Sequence, residues 1–537
     1  MFGMGMSFEA IPPSTGLAKV LSMKKIIRVL LAAALVLGAA QQAAAVDFKA
    51  KGVWLANFQY GQNGNFTNKG HSGYDNSEDE FEARSRVRLQ LDAVASENLM
   101  GEVYFEIGKS IWGKGANPQG GAAMGADGTI VKVKRAFLDW TVPNTDLRLR
   151  MGIQGLQTPY MALDGPTVMS TDLAAVTASY AINDNVALTA FWARPYNDNY
   201  AGDADERGKN YMDNMDIGGL FLPLTFDGLR LTPWAMYSAI GPNTLRKLTA
   251  AGKDEYIGNR INGVNGNYFF SGMLPVLADK TRHLDRKLNS YANAWWAGLA
   301  GDVTLWDPFR IAWEFTYGSV RWEDDPALDR RGWLAALLLE YKTDWGTPGI
   351  YGWYGSGDDD NLGNGSERLP TISNDYGVSS FSQTYSGVNE NGLERDRAIN
   401  NNLAGTWGFG ARLKDVSFLE DIRHTLHVSF FGGTNDSGIL SNLASRNNGV
   451  WMAPNNPDGT SYVGRDNVYM TNKDYAFEVG LSNKFKIYEN LRFNLDITYV
   501  TLWLDKGDDV WGKAKTGGGS SQIRDAWNIS TLFIYSF

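Results

Sequence analysis

The 537-residue sequence contains no cysteine and only four histidines. The lack of cysteine excludes a disulfide scaffold, a thiolate metal site, an iron–sulfur cluster and a cysteine nucleophile. Beyond residue 45, no apolar run reaches the roughly 18 to 20 residues that a helix needs to cross a bilayer, which excludes a helical membrane protein. The formal net charge is −9, so the basic excess of a nucleic-acid-binding chain is also missing.

The first 45 residues have the pattern of an export signal. Lys24, Lys25 and Arg28 precede a short apolar stretch, residues 29–40, and three alanines end at Ala45. This order predicts a signal peptide over residues 23–45 with cleavage after Ala45. The alternative is a retained N-terminal anchor. Residues 1–22, before Met23, are interpreted as a start-site extension. The remaining chain, residues 46–537, is expected to be a single exported barrel domain.

Apolar and polar residues alternate along the mature chain. In residues 491–503, Leu491, Phe493 and Leu495 lie on one face of a strand, and Arg492 and Asn494 lie on the other. Runs of this kind are about twice the usual strand length of 5 to 6 residues, which is the length a tilted strand needs to cross a membrane. Aromatic residues cluster near the run ends, as expected for the interfacial girdles of a transmembrane barrel. The pair Trp295 and Trp296 is one such cluster.

Short and long connections alternate strictly between these runs. The short ones carry Asn, Asp, Gly and Pro, which are turn residues. Eight short turns and nine long connections give 18 antiparallel strands, and one miscounted hairpin would give 16. The pattern predicts a β-barrel of the bacterial outer membrane with periplasmic turns, extracellular loops and both termini in the periplasm. The last strand alternates through Phe533 and Tyr535 to end on Phe537, as in the C-terminal signal that the barrel-insertion machinery reads.

The expected inner face of the barrel is strongly charged. By strand parity it includes a row of three arginines, Arg84, Arg86 and Arg88, and two glutamates on the next strand, Glu102 and Glu106. It also includes Arg135 and Asp139, followed by the arginine pair Arg148 and Arg150. Later strands contribute Arg412, Lys414, Arg423, Lys484, Lys486, Arg492, Glu478 and Asp496. Two interpretations remain open for the arginine row. It forms the basic wall of a constriction with a transverse field, or it forms a salt-bridge ladder within the wall. The same parity places Lys132 and Lys134 on the outer face.

The third long connection, residues 156–172, is the best candidate for a loop that folds into the lumen. It carries Asp164, Gly165 and Pro166. If it folds inward, Asp164 is expected to face Arg84, Arg86 and Arg88 across the constriction. The alternative is an ordinary external loop.

An acidic run at residues 358–367 is the one candidate for metal binding, and no other cofactor is expected. Asp358, Asp359 and Asp360, with Glu367, offer the oxygen ligands that Ca²⁺ takes, but the spacing is not that of a 12-residue calcium loop. A solvated acidic loop tip is the preferred interpretation.

Several segments together resemble a known family. Residues 86–99 read RVRLQLDAVASENL, residues 102–113 read EVYFEIGKSIWG, residues 134–156 read KRAFLDWTVPNTDLRLRMGIQGL, and residues 365–377 read GSERLPTISNDYG. They look like the outer-membrane homotrimeric porins of Desulfovibrio-type sulfate-reducing bacteria. The resemblance implies a trimer of separate channels for small hydrophilic solutes. It implies no catalytic residues.

The expected function is passive diffusion of small hydrophilic solutes and ions through a water-filled pore. The alternative is a channel selective for an anion or a sugar. A structural or adhesive barrel is less favoured. A barrel enzyme is also less favoured, because no nucleophile elbow or paired His and Ser emerges from the sequence. Expected partners are two further copies of the chain, outer-membrane lipid and lipopolysaccharide. Ala50, Gly52 and Ala56, on the outer face of the first strand, would allow close approach between walls in a trimer. They could equally be ordinary small strand residues.

Overall fold

The computed structural model describes thirteen segments, which are residues 46–62, 81–115, 121–125, 128–197, 214–241, 247–250, 253–256, 272–275, 289–322, 325–372, 403–439, 470–505 and 525–537. The predicted start-site extension, residues 1–22, and the predicted signal peptide, residues 23–45, lie outside the described residues. Within the described segments, no helix is long and apolar enough to cross a membrane.

Eighteen strands form one antiparallel barrel, and most are 11 to 16 residues long. In chain order they are β1 (Asp47–Gln62), β2 (Phe81–Ser96), β3 (Leu99–Ile111), β4 (Val131–Thr141), β5 (Leu147–Gln157), β6 (Ser170–Asn183), β7 (Val186–Asn197), β8 (Asn214–Phe221, continued by Leu224–Phe226), β9 (Leu229–Ile240), β10 (Ala292–Val303), β11 (Phe309–Arg321), β12 (Arg330–Tyr341), β13 (Thr347–Gly355), β14 (Thr406–Val416), β15 (Ile422–Gly433), β16 (Tyr475–Tyr488), β17 (Leu491–Trp503) and β18 (Ala526–Ser536). A separate two-stranded hairpin joins Lys247–Ala250 to Lys253–Tyr256.

The barrel is closed by pairing between its first and last strands. Each strand pairs antiparallel with the next along the chain, and β1 pairs with both β2 and β18. Closure removes the free sheet edges, whose N–H and C=O groups would find no partner in lipid. The predicted count of 18 strands is therefore confirmed, and the alternative of 16 is wrong.

The two ends of the barrel differ as the sequence pattern indicated. Eight connections of two to five residues lie at one end, which we call the short-turn end. Nine longer connections lie at the other, the long-connection end. One of them contains a single 3₁₀ turn, Pro326–Leu328.

The outer face of the wall is covered by large apolar side chains. Outward side chains such as Trp54, Ile350 and Phe409 are large, apolar and more than half exposed. Trp295 belongs to this outer surface and packs against Tyr317. Trp296, which the sequence placed in the same girdle, points inward instead. It is fully buried and donates its indole N–H to the carbonyl of Pro370 at 2.9 Å, because neighbouring strand residues point to opposite faces.

The predicted assembly signal lies on the outer face, where its last residue completes the closure. Phe533, Tyr535 and Phe537 are 38%, 40% and 48% exposed. The N–H of Gly52 donates to the Phe537 carbonyl at 2.9 Å, and the Phe537 N–H donates to the Gly52 carbonyl at 3.1 Å. The Phe537 ring lies directly over Gly52, where an added Cβ would come within 2.6 Å of it. Part of the small-residue surface around Gly52 is thus covered by the chain's own terminus.

We expect Gly52→Val to weaken barrel closure. The new side chain would meet the Arg88 carbonyl and the Phe537 ring, each 2.6 Å from the Cβ position, and overpacking of this kind costs about 1–3 kcal/mol. The measurement is the temperature at which unheated protein loses the compact electrophoretic mobility of the folded barrel. Ala56→Val, four residues further along β1 on the same outer face, is the control and should melt like the wild type. Equal melting of both variants would show that the Gly52 contact does not matter for closure.

Candidate functional site

The interior of the barrel is crossed by the connection between β5 and β6. Residues 158–169 leave the wall and are largely buried; Ala162, Leu163, Val168 and Met169 are at most 3% exposed. The connection contacts β11 through Glu314 and β14 through Arg412. Since β5 and β14 are nine strands apart in a barrel of 18, they lie on opposite walls. We call residues 158–169 the crossing loop. The structure thus places this connection inside the barrel, as one of the two sequence interpretations expected.

Glu314 anchors the crossing loop to β11. Its Oε1 atom accepts hydrogen bonds from the backbone N–H groups of Met161 at 3.0 Å, Ala162 at 2.9 Å and Leu163 at 2.7 Å. From the same strand, Arg310 donates from Nη2 to the Met161 carbonyl at 3.1 Å. Bonds from N–H groups to a carboxylate are stronger than neutral ones, so one side chain satisfies three consecutive donors of a buried turn.

A chain of alternating charges continues from this anchor around the inner wall. Arg230 pairs with Asp302, Asp302 with Arg310 at 3.0 Å, Arg310 with Glu340 at 2.8 Å, and Glu340 with Arg412 at 2.8 Å. These residues come from β9, β10, β11, β12 and β14 in turn. Arg412 also reaches Asp164 of the crossing loop at 3.4 Å. The loop is therefore tied to the far wall by an ion pair as well as by Glu314.

The expected partners of Asp164 are not the observed ones. Asp164 was expected to face Arg84, Arg86 and Arg88, which are on β2. It contacts Arg412 on β14 instead, because the loop extends across the barrel and docks on the opposite wall.

The arginine row of β2 is paired within its own wall. Arg84 pairs with Glu82, and Glu106 of β3 lies 2.9 Å from Arg88 and 3.7 Å from Arg86. The side chains of Arg84 and Arg86 are less than a tenth exposed, and that of Arg88 is 19% exposed. These contacts are those of the salt-bridge ladder. Arg88 is the member of the row most open to the lumen.

Glu102 stands on the same inner face as Glu106. It accepts a hydrogen bond from the side chain of Gln90 at 2.8 Å, and its Cα partners are Asp92 on β2 and Phe137 on β4. Both glutamates therefore lie where strand parity put them.

Asp139 is clamped by the two arginines of β5. It accepts from Arg148 Nε at 2.7 Å and from Arg150 Nη2 at 2.6 Å. The guanidinium of Arg150 also lies 4.2 Å from the centre of the Phe137 ring. The side chain of Asp139 is 4% exposed, whereas those of Arg148 and Arg150 are 54% and 31% exposed. Parity placed these three residues together correctly.

The outward placement of Lys132 was wrong because β4 contains an irregularity. The register between β3 and β4 shifts after the pair Tyr104 and Arg135, so one extra residue is inserted, as in a β-bulge. Lys132 consequently lies opposite Glu106 on the inner face. Lys134 lies 3.1 Å from Asp172, which also binds Arg135 at 2.7 Å. Arg135 faces inward as expected, with its guanidinium 5.5 Å from the Tyr104 ring centre.

The crossing loop packs into an apolar core on the inner wall. The core extends over β6 to β13, with Leu173, Met215, Trp234, Met236, Ala294, Trp296, Ala312, Leu338 and Trp353, and continues on β15 to β17 through Phe431, Ala476, Val500 and Leu502. Polar side chains share the inner face of β15 to β18 and of β1, but His427, Glu478, Ser482, Asp496, Asn528 and Asn57 are at most 2% exposed. Open inner charges are found instead on β1 and β5, where the side chains of Lys51, Arg148 and Arg150 are 63%, 54% and 31% exposed.

This core and most of the far-wall charges were not predicted from the sequence. Glu314, Arg310, Glu340, Asp302 and Arg230 were not singled out, although Arg412 was. A signal was present, because Arg310, Ala312 and Glu314 share the inner parity of one strand. What strand parity could not show is that a loop from six strands away would supply their partner.

The acidic segment 358–367 binds its own loop. Asp358 accepts from the Ser366 hydroxyl at 2.5 Å and from the Glu367 N–H at 3.1 Å, and Asp359 accepts from the Asn361 N–H at 2.8 Å. Burial, followed by the charges of Asp359 and Asp358, raises the pKa of Glu367, while its bond from the Asp359 N–H acts in the opposite direction. In the segments that the structure describes, no three His, Asp or Glu side chains are grouped to hold a metal ion. The structure gives no support to a calcium site here.

Comparison with known proteins gives no family. No protein-family model matches the sequence, and no curated protein sequence matches it either. The resemblance to Desulfovibrio-type porins therefore stays a prediction.

Solved outer-membrane barrels are similar at low identity. Pseudomonas aeruginosa OpdQ is 10% identical with a TM-score of 0.46, covering 91% of this chain and 98% of its own. Pseudomonas aeruginosa OccK9 (OpdG) is 8% identical with a TM-score of 0.47, covering 91% and 98%. Vibrio cholerae OmpT is 9% identical with a TM-score of 0.34, covering 91% and 97%. Similarity this low carries no argument about the solute or the activity.

We expect Glu314→Ala to release the crossing loop from the wall. Three buried N–H groups lose their acceptor, and hydrogen bonds to a charged group contribute about 1.5–3 kcal/mol each. The measurement is limited proteolysis with chymotrypsin of the folded protein, which should cut after Tyr160 or Leu163 in the variant and spare the wild type. Glu314→Gln keeps one oxygen acceptor and should be cut more slowly than the alanine variant. Resistance of the alanine variant equal to that of the wild type would contradict the anchoring role.

Proposed function

We propose that the protein forms a water-filled channel in the bacterial outer membrane, through which small hydrophilic solutes and ions diffuse passively. The observation that carries this proposal is that the closed barrel keeps charged side chains exposed on its inner face, beside the apolar core that contains the crossing loop. Exposed charge inside a barrel is expected where water and solutes enter.

The exposed inner charges mark where the path runs. Lys51 on β1 and Arg148 and Arg150 on β5 have 63%, 54% and 31% of their side chains exposed. Asp164 on the crossing loop is 39% exposed. The path proposed here therefore lies between the wall of β1 to β5 and the crossing loop, with Asp164 at its border. In this proposal the path is lined by Arg88, Arg148, Arg150 and Asp164, whereas Arg84 and Arg86 are paired within the wall.

The orientation and the partners follow from the same proposal. The short-turn end faces the periplasm with both termini, and the long-connection end faces outward, next to lipopolysaccharide. The C-terminal strand, ending on Phe537, is read by the barrel-insertion machinery. The functional unit is a homotrimer of separate channels. The role assigned is transport and not catalysis: His427 bonds to Glu478 at 2.8 Å within the wall, and His424 bonds to Asn483 at 2.6 Å.

A planar-bilayer recording of the native protein tests the channel directly. We expect large conductance steps that appear in threes. Block by one sugar would favour a sugar-selective channel instead. Folded protein that inserts and gives no current would overturn the channel and favour a structural or adhesive role.

The position of the path can be tested by single-cysteine variants, because the chain has no native cysteine. Lys51→Cys lies on the exposed side, and Ala312→Cys lies in the apolar core on the inner face of β11. A charged, thiol-reactive reagent should lower the conductance of Lys51→Cys within minutes and leave Ala312→Cys unchanged. Ala297→Cys, on the outer face of β10, controls for labelling outside the lumen. Equal block of Lys51→Cys and Ala312→Cys would show that water also reaches the apolar side.

A further inference from the structure

Five strands that start at a short turn carry arginine as their second residue. Eight strands start this way, and β5, β9, β11, β15 and β17 among them begin with Leu-Arg, Leu-Arg, Phe-Arg, Ile-Arg and Leu-Arg. The five arginines are Arg148, Arg230, Arg310, Arg423 and Arg492. The shared position puts all of them at the short-turn mouth of the barrel. We call them the arginine ring.

The ring faces the lumen and not the lipid. Arg148 shares its parity with Arg150, which lies opposite the inward Asp139. Arg310 shares its parity with Glu314, which binds the crossing loop. Arginines near strand ends often extend to lipid headgroups, but that explanation requires the outer face. The inner position needs another explanation.

In these ion pairs the arginine is the exposed partner and the acid is the buried one. The side chains of Arg148 and Arg230 are 54% and 56% exposed, whereas those of their partners Asp139 and Asp302 are 4% and 1% exposed. Arg310 is 32% exposed above Asp302 and Glu340, and the latter is 6% exposed. A solute at this mouth meets guanidinium groups, although the pairs are nearly neutral by count. The overall charge of −9 therefore does not describe the surface that a solute meets.

Each acid is also shared between two arginines. Asp139 is held by Arg148 and Arg150, and Asp302 by Arg230 and Arg310. One arginine is thus in excess at Asp139, whereas on the far wall Arg230, Arg310 and Arg412 are balanced by three acids, which are Asp302, Glu340 and Asp164.

Like charges also stand directly opposite each other on β15 to β17. Arg423 is the cross-strand partner of Lys484, and Arg492 is the partner of Lys486. Facing like charges destabilise a sheet. Their placement at the mouth is consistent with a role in attracting solute.

We propose that the arginine ring makes the short-turn mouth selective for anions, and that it binds small oxyanions that carry carboxylate or sulfate groups. This inference rests on the proposed channel function. Rings of arginine or lysine select anions in pores, and the guanidinium fork matches the two oxygens of a carboxylate or sulfate. The crossing loop then limits solute size, and the ring determines charge.

The test is the reversal potential of the native channel in a potassium chloride gradient, compared with that of Arg148→Gln/Arg230→Gln. This double variant leaves Arg150 on Asp139 and Arg310 on Asp302, so neither buried acid loses both partners. We expect an anion-selective wild type. In the variant the anion-to-cation permeability ratio should fall by roughly twofold to fivefold, since a unit charge in contact with an ion in water changes its local concentration by up to roughly fivefold. Potassium sulfate added at the short-turn side should reduce the wild-type current more than it reduces the variant current.

Two matched variants separate the lumen from other effects. Arg321→Gln/Arg331→Gln removes the same charge from the exposed arginines at the long-connection ends of β11 and β12, and its selectivity should equal that of the wild type. Arg148→Lys/Arg230→Lys keeps the charge and should keep anion selectivity while binding sulfate less well. Should the glutamine double variant fail to fold, Arg423→Gln tests the same ring at a position that bonds to turn carbonyls.

The outcomes distinguish this inference from the proposed function. A wild-type channel that conducts without preference for anions overturns the arginine ring and leaves the channel intact. The same result follows if both glutamine double variants shift selectivity equally. Absence of current from folded, inserted protein overturns the channel itself, and the ring with it.

Discussion

The need to pair every backbone N–H and C=O group in a medium without water determines the rest of this structure. Lipid offers these groups no partner, so a β-sheet can cross the membrane only when its two edges meet. Here the edges meet along β1 and β18, and the pairing continues to the final residue, Phe537. A closed wall of 18 strands is too wide to be filled by its own side chains. The interior must therefore hold either water or additional chain.

Here the crossing loop supplies additional chain. It brings apolar residues into contact with the inner face of β6 to β13 and of β15 to β17, where a core forms that resembles that of a soluble protein. Its backbone N–H groups would be costly to bury without acceptors. Glu314 supplies the acceptor for three of them, and the far-wall ladder that ends at Arg412 holds Asp164. Polar anchoring of a loop and apolar packing against a wall therefore depend on each other.

The sequence predicts the wall much better than its contents. Alternation with period two, turn residues and the two classes of connection are local signals, and they gave the strand count, the closure and the inward face of Arg148, Arg150 and Asp139. Two predictions failed, one for a local reason and one for a long-range reason. One extra residue in β4 reversed the face of Lys132, because parity holds only as long as pairing is regular. The pairing of Asp164 with Arg412 joins residues 248 positions apart, and no short window of sequence contains that relation.

The enclosed core also has a consequence for the order of folding. Met169 on the crossing loop and Trp296 on β10 are completely buried in one core, inside a wall whose first and last strands are paired. Once the wall has closed, the loop could reach this place only through an open end of the barrel. We therefore expect the crossing loop to take its place while the first and last strands are still apart, so that the contact between Gly52 and Phe537 is among the last to form. The barrel would then be inserted with the crossing loop already in place.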